Sequence, residues 1–305
     1  MTLAGIIMFI ALNGLYEPSA IQQLPDGRFL VAEDEKDSPF SLLTIHPDGK
    51  TTVEPLNIGA EDEGSGKLDD LEGLTLDSAG FVYAITSHSR NSKGEEKKSR
   101  EKLVRFRIDG NRLVSPRIVN DLKHSLTASH PVLARAAALI DVKGDGGFNI
   151  EALEFSPDQQ HLMIGLRSPV EAGQALVAVI RNSSGMFESG TAPEVAPELI
   201  RLDLGGHGLR GMSWIPSLQG YLLISGPVAK EKTQFRLWFW NGQADAKPRP
   251  VEVEGLPGFE HAEGVTPAII DGMPRIVIVS DDGSRAESRP ARFLLLAPEQ
   301  IRILP

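Results

Sequence analysis

EGLTLDSAGFVYAITSHS, residues 72–89, decides the fold. A charged residue and a glycine lead into a short alternating run. DSAG supplies turn residues, the apolar run FVYAI follows, and a polar tip closes the unit. Alternation on either side of a turn signal reads as strand, tight turn, strand. The pattern recurs as EPSAIQQLPDGRFLVAEDE from Glu17, EALEFSPDQQHLMIGLRSP from Glu151, RGMSWIPSLQGYLLISGP from Arg210 and EGVTPAIIDGMPRIVIVSDDG from Glu263.

The spacings between these starts are 55, 79, 59 and 53 residues. Each leaves room for two more strands, such as SLLTIHP and TTVEPLNI after the first pair, or RFLLLAP and IRIL after the fifth. Four antiparallel strands per unit at a near-constant period mark a propeller blade. The sequence therefore predicts an all-β propeller of five four-stranded blades within one domain, with six blades as the alternative. The long second spacing contains SHPVLARAAALI, residues 129–140. Ser129 as a cap and Pro131 in the first turn predict a short helix inserted in the second blade. Residues 6–12, within an apolar N-terminal run, read as a strand added to the last blade to close the ring.

Composition sets outer limits. The chain has 305 residues, 41% hydrophobic and 24% charged, which suits a globular core. A net charge of −10 argues against a nucleic-acid partner, because phosphate contacts need clustered Lys and Arg. Cysteine is absent, so disulfides and thiolate chemistry are excluded. The N-terminal apolar run is too short to span a bilayer and has no basic residue ahead of it. A cytoplasmic protein without membrane attachment is the expectation.

Propeller geometry gathers polar residues that are distant in sequence. The start of each inner strand and the end of the second strand meet on one face of the disc. That places Glu17, Glu72, Glu151, Arg210 and Glu263 around one channel mouth. Glu33, Asp34, Ser87, His88, Arg167, Ser225, Asp281 and Asp282 join from the second strands, and Asp69, Asp70 and Asn149 from the preceding loops. Carboxylates in such a ring suit a divalent cation, Ca or Mg, with Glu17, Glu72, Glu151 and Glu263 as hard oxygen ligands. The repetition of Glu at blade starts equally suits a structural role, in which each accepts backbone hydrogen bonds from its neighbour.

The polar run SHSRNSKGEEKKSR, residues 87–100, joins two strands of the second blade on that face. Gly94 marks a turn and GEEKK reads as a solvated tip. Ser87, Arg90 and Arg100 flank the tip, where they suit an anion or carboxylate partner. Other motifs are weaker. LGGHGLRG at 204–211 is glycine-rich but does not run from strand to helix, so no nucleotide or redox cofactor is expected. His207 within it is a candidate polar lining. KGDGG at 143–147 reads as a turn and lacks the spaced acids of a calcium loop.

Several of these motifs occur together in order: DLEGL at 70–74, SHSRNSKG at 87–94 with Arg100, FNIEAL at 148–153, IGLRSPV at 164–170, LDLGGHGLRG at 202–211, LISGP at 223–227, FRLWFWNG at 235–242 and SDDG at 280–283. In this set the chain resembles a bacterial β-propeller family of unknown function. The family pattern carries Gly where this chain has Ser89 and Ala152. The chain is also distantly similar to propeller domains with esterase-like phytase activity, a likeness of fold and strand starts that implies no activity by itself.

Two functional readings result. The first is a non-catalytic module that binds a small molecule or a protein at the mouth. The second is a metal-assisted hydrolase of a small ester, lactone or phosphoester. There His88 would be the general acid or base beside Asp70 and Asp281, and Arg167 and Arg210 would hold the anionic group.

Overall fold

The computed structural model describes residues 7–33, 39–58, 67–229, 234–259 and 261–305. Five antiparallel sheets form the blades of a propeller. From the axis outward, blade one runs Pro18–Gln23, Phe29–Glu33, Phe40–Ile45 and Thr51–Pro55. Blade two runs Leu71–Leu76, Val82–Thr86, Leu103–Asp109 and Arg112–Val119. Asn57–Ile58 adds a parallel fifth strand to its edge. Blade three runs Asn149–Phe155, Leu162–Ser168, Ala175–Ile180 and Ile200–Leu202. Blade four runs Gly208–Ile215, Gly220–Gly226, Arg236–Trp240 and Arg249–Val253. Blade five runs Ala262–Ile270, Met273–Ser280 and Ala291–Leu296, and Ile10–Leu12 supplies its outer strand.

The five-bladed expectation holds, and Ile10–Leu12 pairs antiparallel with Ala291–Leu296 of the last blade. Three details differ. IRIL does not belong to blade five: Ile301–Ile303 pairs with Arg249–Val253 of blade four. The N-terminal strand begins at Ile10, and residue 6 lies outside the described residues. The single helix expected over 129–140 is two, α1 (Leu122–Ser129) and α2 (Pro131–Ala137). His130 is extended between them, so Ser129 ends one helix rather than capping the next, because the residue before a proline is pushed out of the helical region. With α3 (Val142–Asp145) these helices bridge the outer strand of blade two and the inner strand of blade three, so they lie between blades.

Apolar residues of facing sheets fill the gaps between blades. Leu30 and Phe40 meet Val82 and Phe106 between blades one and two. Leu122, Leu126 and Leu133 of the inserted helices join Ile150, Leu153 and Leu166 of blade three. Each inner strand packs on the next, and that of blade five packs on that of blade one.

Every inner strand carries a bulge at the same point. The pairing skips between Pro18 and Ala20, Leu71 and Gly73, Ile150 and Ala152, Leu209 and Gly211, and Ala262 and Gly264. The skipped residues are Ser19, Glu72, Glu151, Arg210 and Glu263. A bulge leaves one residue out of the ladder and re-aims its side chain. A small residue follows each time because neighbouring backbones come close there. A Cβ on Gly211 would sit 2.2 Å from the carbonyl oxygen of Glu263.

Candidate functional site

The five bulges put one side chain per blade at the channel. Blade one contributes Ser19, not Glu17. The signal was the small residue: Ala20, not Pro18, corresponds to Gly73, which shifts the register by two. Ser19 Oγ donates to Leu71 O at 2.6 Å and so ties blade one to blade two. Glu17 lies half-buried two residues earlier, close enough to Asp281 for the two carboxylates to repel.

Arg210 stands at the centre of the remaining four. Its Nε lies 2.8 Å from Glu151 Oε2 and 2.9 Å from Glu263 Oε2, and its second terminal nitrogen pairs with Glu263 Oε1. Arg167 donates to Glu151 Oε1 at 3.1 Å and to Pro227 O at 3.0 Å. Asn149 Nδ2 donates to the same Glu151 oxygen at 2.8 Å. Glu151 and Glu263 are almost wholly buried, and the lattice joins blades three, four and five. Burial works against the charge on Arg210, but Glu151, Glu263 and Glu72 outweigh it and hold the guanidinium ionised. Burial pushes Glu263 up to about 8 against the pull of Arg210.

Glu72 is different. It is half-buried, lines the channel with Glu151 and Glu263, and makes no hydrogen bond or ion pair among the described residues. Burial, then the charges of Glu151, Asp70 and Glu263, push its carboxyl well above the usual range, with Arg210 opposing. Asp281 is also half-buried without a hydrogen-bonded partner for its carboxylate among the described residues. Burial and Glu17 raise it, while Arg210 and His261 pull it down.

Beside this ring stands a second cluster. Arg100 pairs with Asp70 Oδ2 and donates to Ser89 Oγ at 2.9 Å and to Ser87 Oγ at 3.4 Å. Ser87, Arg100 and Asp70 therefore do meet, but the carboxylate partner of Arg100 is internal. Arg90 does not join them. It donates to Gly94 O at 3.1 Å and pairs with Glu96 at 3.1 Å, so it fastens its own loop. The tip of that loop is exposed, and Lys97 pairs with Glu95 at 2.8 Å.

His88 is the clearest departure from expectation. Its side chain is fully buried rather than at the mouth, and its backbone is left-handed at φ 55°. Nδ1–H donates to Thr86 O at 2.8 Å, and Nε2 is buried without a partner. Burial lowers its pKa to about 4, so the ring is neutral and closed to solvent. Glu33 is also structural, accepting from Tyr16 N at 3.0 Å and Ser41 Oγ at 3.4 Å. Asp34 lies outside the described residues.

Sequence reasoning missed two residues of note. His261 stands two positions before Glu263, as Asp70 stands before Glu72, and both have positive φ, 59° and 63°. Its ring lies 5.6 Å from that of Phe235 at the mouth. Glu154 is a buried carboxylate that accepts from Thr75 Oγ1 at 2.5 Å, Phe155 N at 2.7 Å, Ser213 Oγ at 2.9 Å and Trp214 N at 3.0 Å. It bolts blades two, three and four together.

The expected divalent cation fits this arrangement poorly. Two of the four proposed ligands, Glu151 and Glu263, hold a guanidinium between them, and Glu17 is displaced. Among the described residues no group of three or more His, Asp or Glu side chains is placed to hold a metal ion. No helix among them is long and apolar enough to cross a membrane.

Fold and mouth together define a five-bladed β-propeller with a charged axial opening. The chain belongs to the family described as "Protein of unknown function (DUF3616)", whose model matches residues 121–294, more than half of it. No curated protein matches the sequence. Among solved structures it is similar to a GH43 β-1,3-galactosidase bound to galactodeoxynojirimycin. That likeness is 10% identity over 96% of this chain and 98% of that one, with a TM-score of 0.54. It is also similar to a PQQ-bound aldose sugar dehydrogenase from Streptomyces coelicolor, at 17% identity over 97% of both chains with a TM-score of 0.47. A putative oxidoreductase (glucose dehydrogenase) from Thermus thermophilus matches at 16% identity over 95% of this chain and 100% of that one, with a TM-score of 0.46. At 10% identity the likeness to the galactosidase is one of fold alone.

Proposed function

We propose that this propeller is a binding module that takes a small ligand at the channel mouth. The observation that carries the reading is the contrast between fixed and free carboxylates. Glu151 and Glu263 are locked by Arg210, whereas Glu72, which lines the channel, and the half-buried Asp281 have no hydrogen-bonded partners for their carboxylates among the described residues. Half-buried carboxylates left unpaired are costly to keep, and such groups concentrate where ligands bind. Ion pairs and hydrogen bonds tie the surrounding groups to one another, so the ligand would meet a preorganised surface.

The hydrolytic alternative draws less support. It asks His88 to exchange protons with a substrate, but the imidazole is buried and its Nδ1–H is spent on Thr86 O. It also asks Glu151 and Glu263 to leave Arg210 for a cation.

The test is a thermal-shift screen of cationic, anionic and neutral small molecules on the wild-type chain and on Glu72→Gln. At least one class should raise the midpoint of the wild type in a saturable way, and the variant should lose most of that shift. A screen in which nothing shifts, or in which Glu72→Gln responds like wild type, would defeat the proposal.

A further inference from the structure

We infer that the ligand group received at the mouth is a primary ammonium, held by Glu72 together with Asn149, beside the Glu151 that Arg210 holds. The inference rests on the binding-module reading and narrows it to one chemistry.

An inventory of donors and acceptors leads there. The guanidinium of Arg210 faces Glu151 and Glu263, and that of Arg167 faces Glu151 and Pro227 O. Both positive charges are matched. The amide of Asn149 turns its nitrogen to Glu151, as it must, because a carboxylate only accepts. Its Oδ1 is then left buried without a partner, in a residue only 8% exposed. Glu151 Oε2 is likewise buried and receives no well-aligned hydrogen bond, although Arg210 Nε is near. Glu72 receives none from the described residues. What remains unmatched around Glu72 and Glu151 is a set of acceptors, two of them buried.

An orphaned buried acceptor costs about 1–3 kcal/mol, and a ligand that donates to several at once recovers that cost. Charge narrows the choice further. Once ionised, Glu72, Glu151 and Glu263 outnumber Arg167 and Arg210, and Asp281 and Glu17 add to the negative side. A hydroxyl offers one donor and no charge. An ammonium offers three donors and the missing charge. The channel is narrow here, walled by Ala20, Gly73, Ala152, Gly211 and Gly264, which suits a compact head. A calcium ion would need six to eight converging oxygens, which this set does not provide. The raised pKa of Glu72 comes first from burial and then from the charges of Glu151, Asp70 and Glu263, and a bound cation would relieve the second of these causes.

The experiment is calorimetric titration and thermal shift of the full chain with methylammonium, propylammonium and putrescine at constant ionic strength. Tetramethylammonium, K⁺, Mg²⁺ and Ca²⁺ serve as comparisons. Primary amines should bind saturably, more tightly as pH rises and Glu72 ionises, and at least ten-fold more weakly to Glu72→Gln and Asn149→Leu. Circular dichroism of both variants establishes that they fold. Tetramethylammonium has the charge without N–H donors, so an equal response to it or to K⁺ would reduce the effect to general screening and overturn the inference. Tighter binding of Mg²⁺ or Ca²⁺ would overturn it in favour of a metal. If amines fail while a sugar or an anion binds in a Glu72-dependent way, the ammonium assignment falls and the binding module stands. If nothing binds, both fall.

Discussion

His88 shows what a single residue contributes when chemistry suggested by its type is overruled by its position. The imidazole is neutral in the native state because burial lowers its pKa from 6.5 to about 4. In the unfolded chain it takes up a proton near 6.5. Between those values the unfolded state binds more protons, so His88 favours unfolding as pH falls through that window and costs nothing above it. The shift corresponds to roughly 3 kcal/mol at about 1.4 kcal/mol per unit. His88→Asn keeps a donor near Thr86 O and cannot titrate. Its urea stability should therefore fall less than that of wild type between pH 6.5 and 4, which denaturation at several pH values would measure. Parallel curves for the two proteins would show that His88 is not the acid-sensitive group. The sequence displayed a histidine at a strand end. It could not show that the backbone turns left-handed there and drives the ring inward.

At the scale of the element, the bulged inner strand explains both the site and the small residues beside it. Its partner strand decides how small each must be. Gly73 pairs with Ile85, and a Cβ on the glycine would lie 2.9 Å from Ile85 Cγ2. In blade three the sizes are exchanged: Ala152 pairs with Gly165, where a Cβ would lie 2.8 Å from that of Ala152. The alanine that departs from the family pattern is thus accommodated by a glycine across the ladder. Gly165→Ala alone should overfill this spot and cost about 1–3 kcal/mol. Ala152→Gly in the same chain should recover part of the loss, the rest remaining because Leu209 also lies 3.0 Å from the new methyl position. A double-mutant cycle by urea denaturation reads this directly, and additive effects would refute the pairing. The paired strands were legible in the sequence because alternation is local. The bulge was not, since it depends on two backbones meeting, and the register of blade one slipped by two residues for that reason.

At the scale of the molecule, period and turn signals sufficed for five blades, and the chain ends show where such reasoning stops. Both termini carry short apolar strands, and local pattern does not say which edge each joins. Their roles differ. Ile10–Leu12 completes blade five, which without it has three strands, and Leu12 is fully buried among Phe29, Val31, Val279 and Phe293. Ile301–Ile303 adds a fifth strand to blade four, and its isoleucines are only partly buried. Losing a buried leucine alone costs about 2–5 kcal/mol, which in a chain of this size lowers the melting midpoint by on the order of 10 °C. Deleting residues 1–13 removes that contact and also bares the edge of Ala291–Leu296, a hydrogen-bonding surface prone to pairing with other chains. Deleting residues 298–305 leaves blade four with its four strands. The N-terminal deletion should lower the thermal midpoint several-fold more than the C-terminal one, and it should also promote association detectable by light scattering. Equal shifts for the two deletions would mean that the ring does not depend on its N-terminal strand for closure, and blade five would then have to hold as a three-stranded sheet.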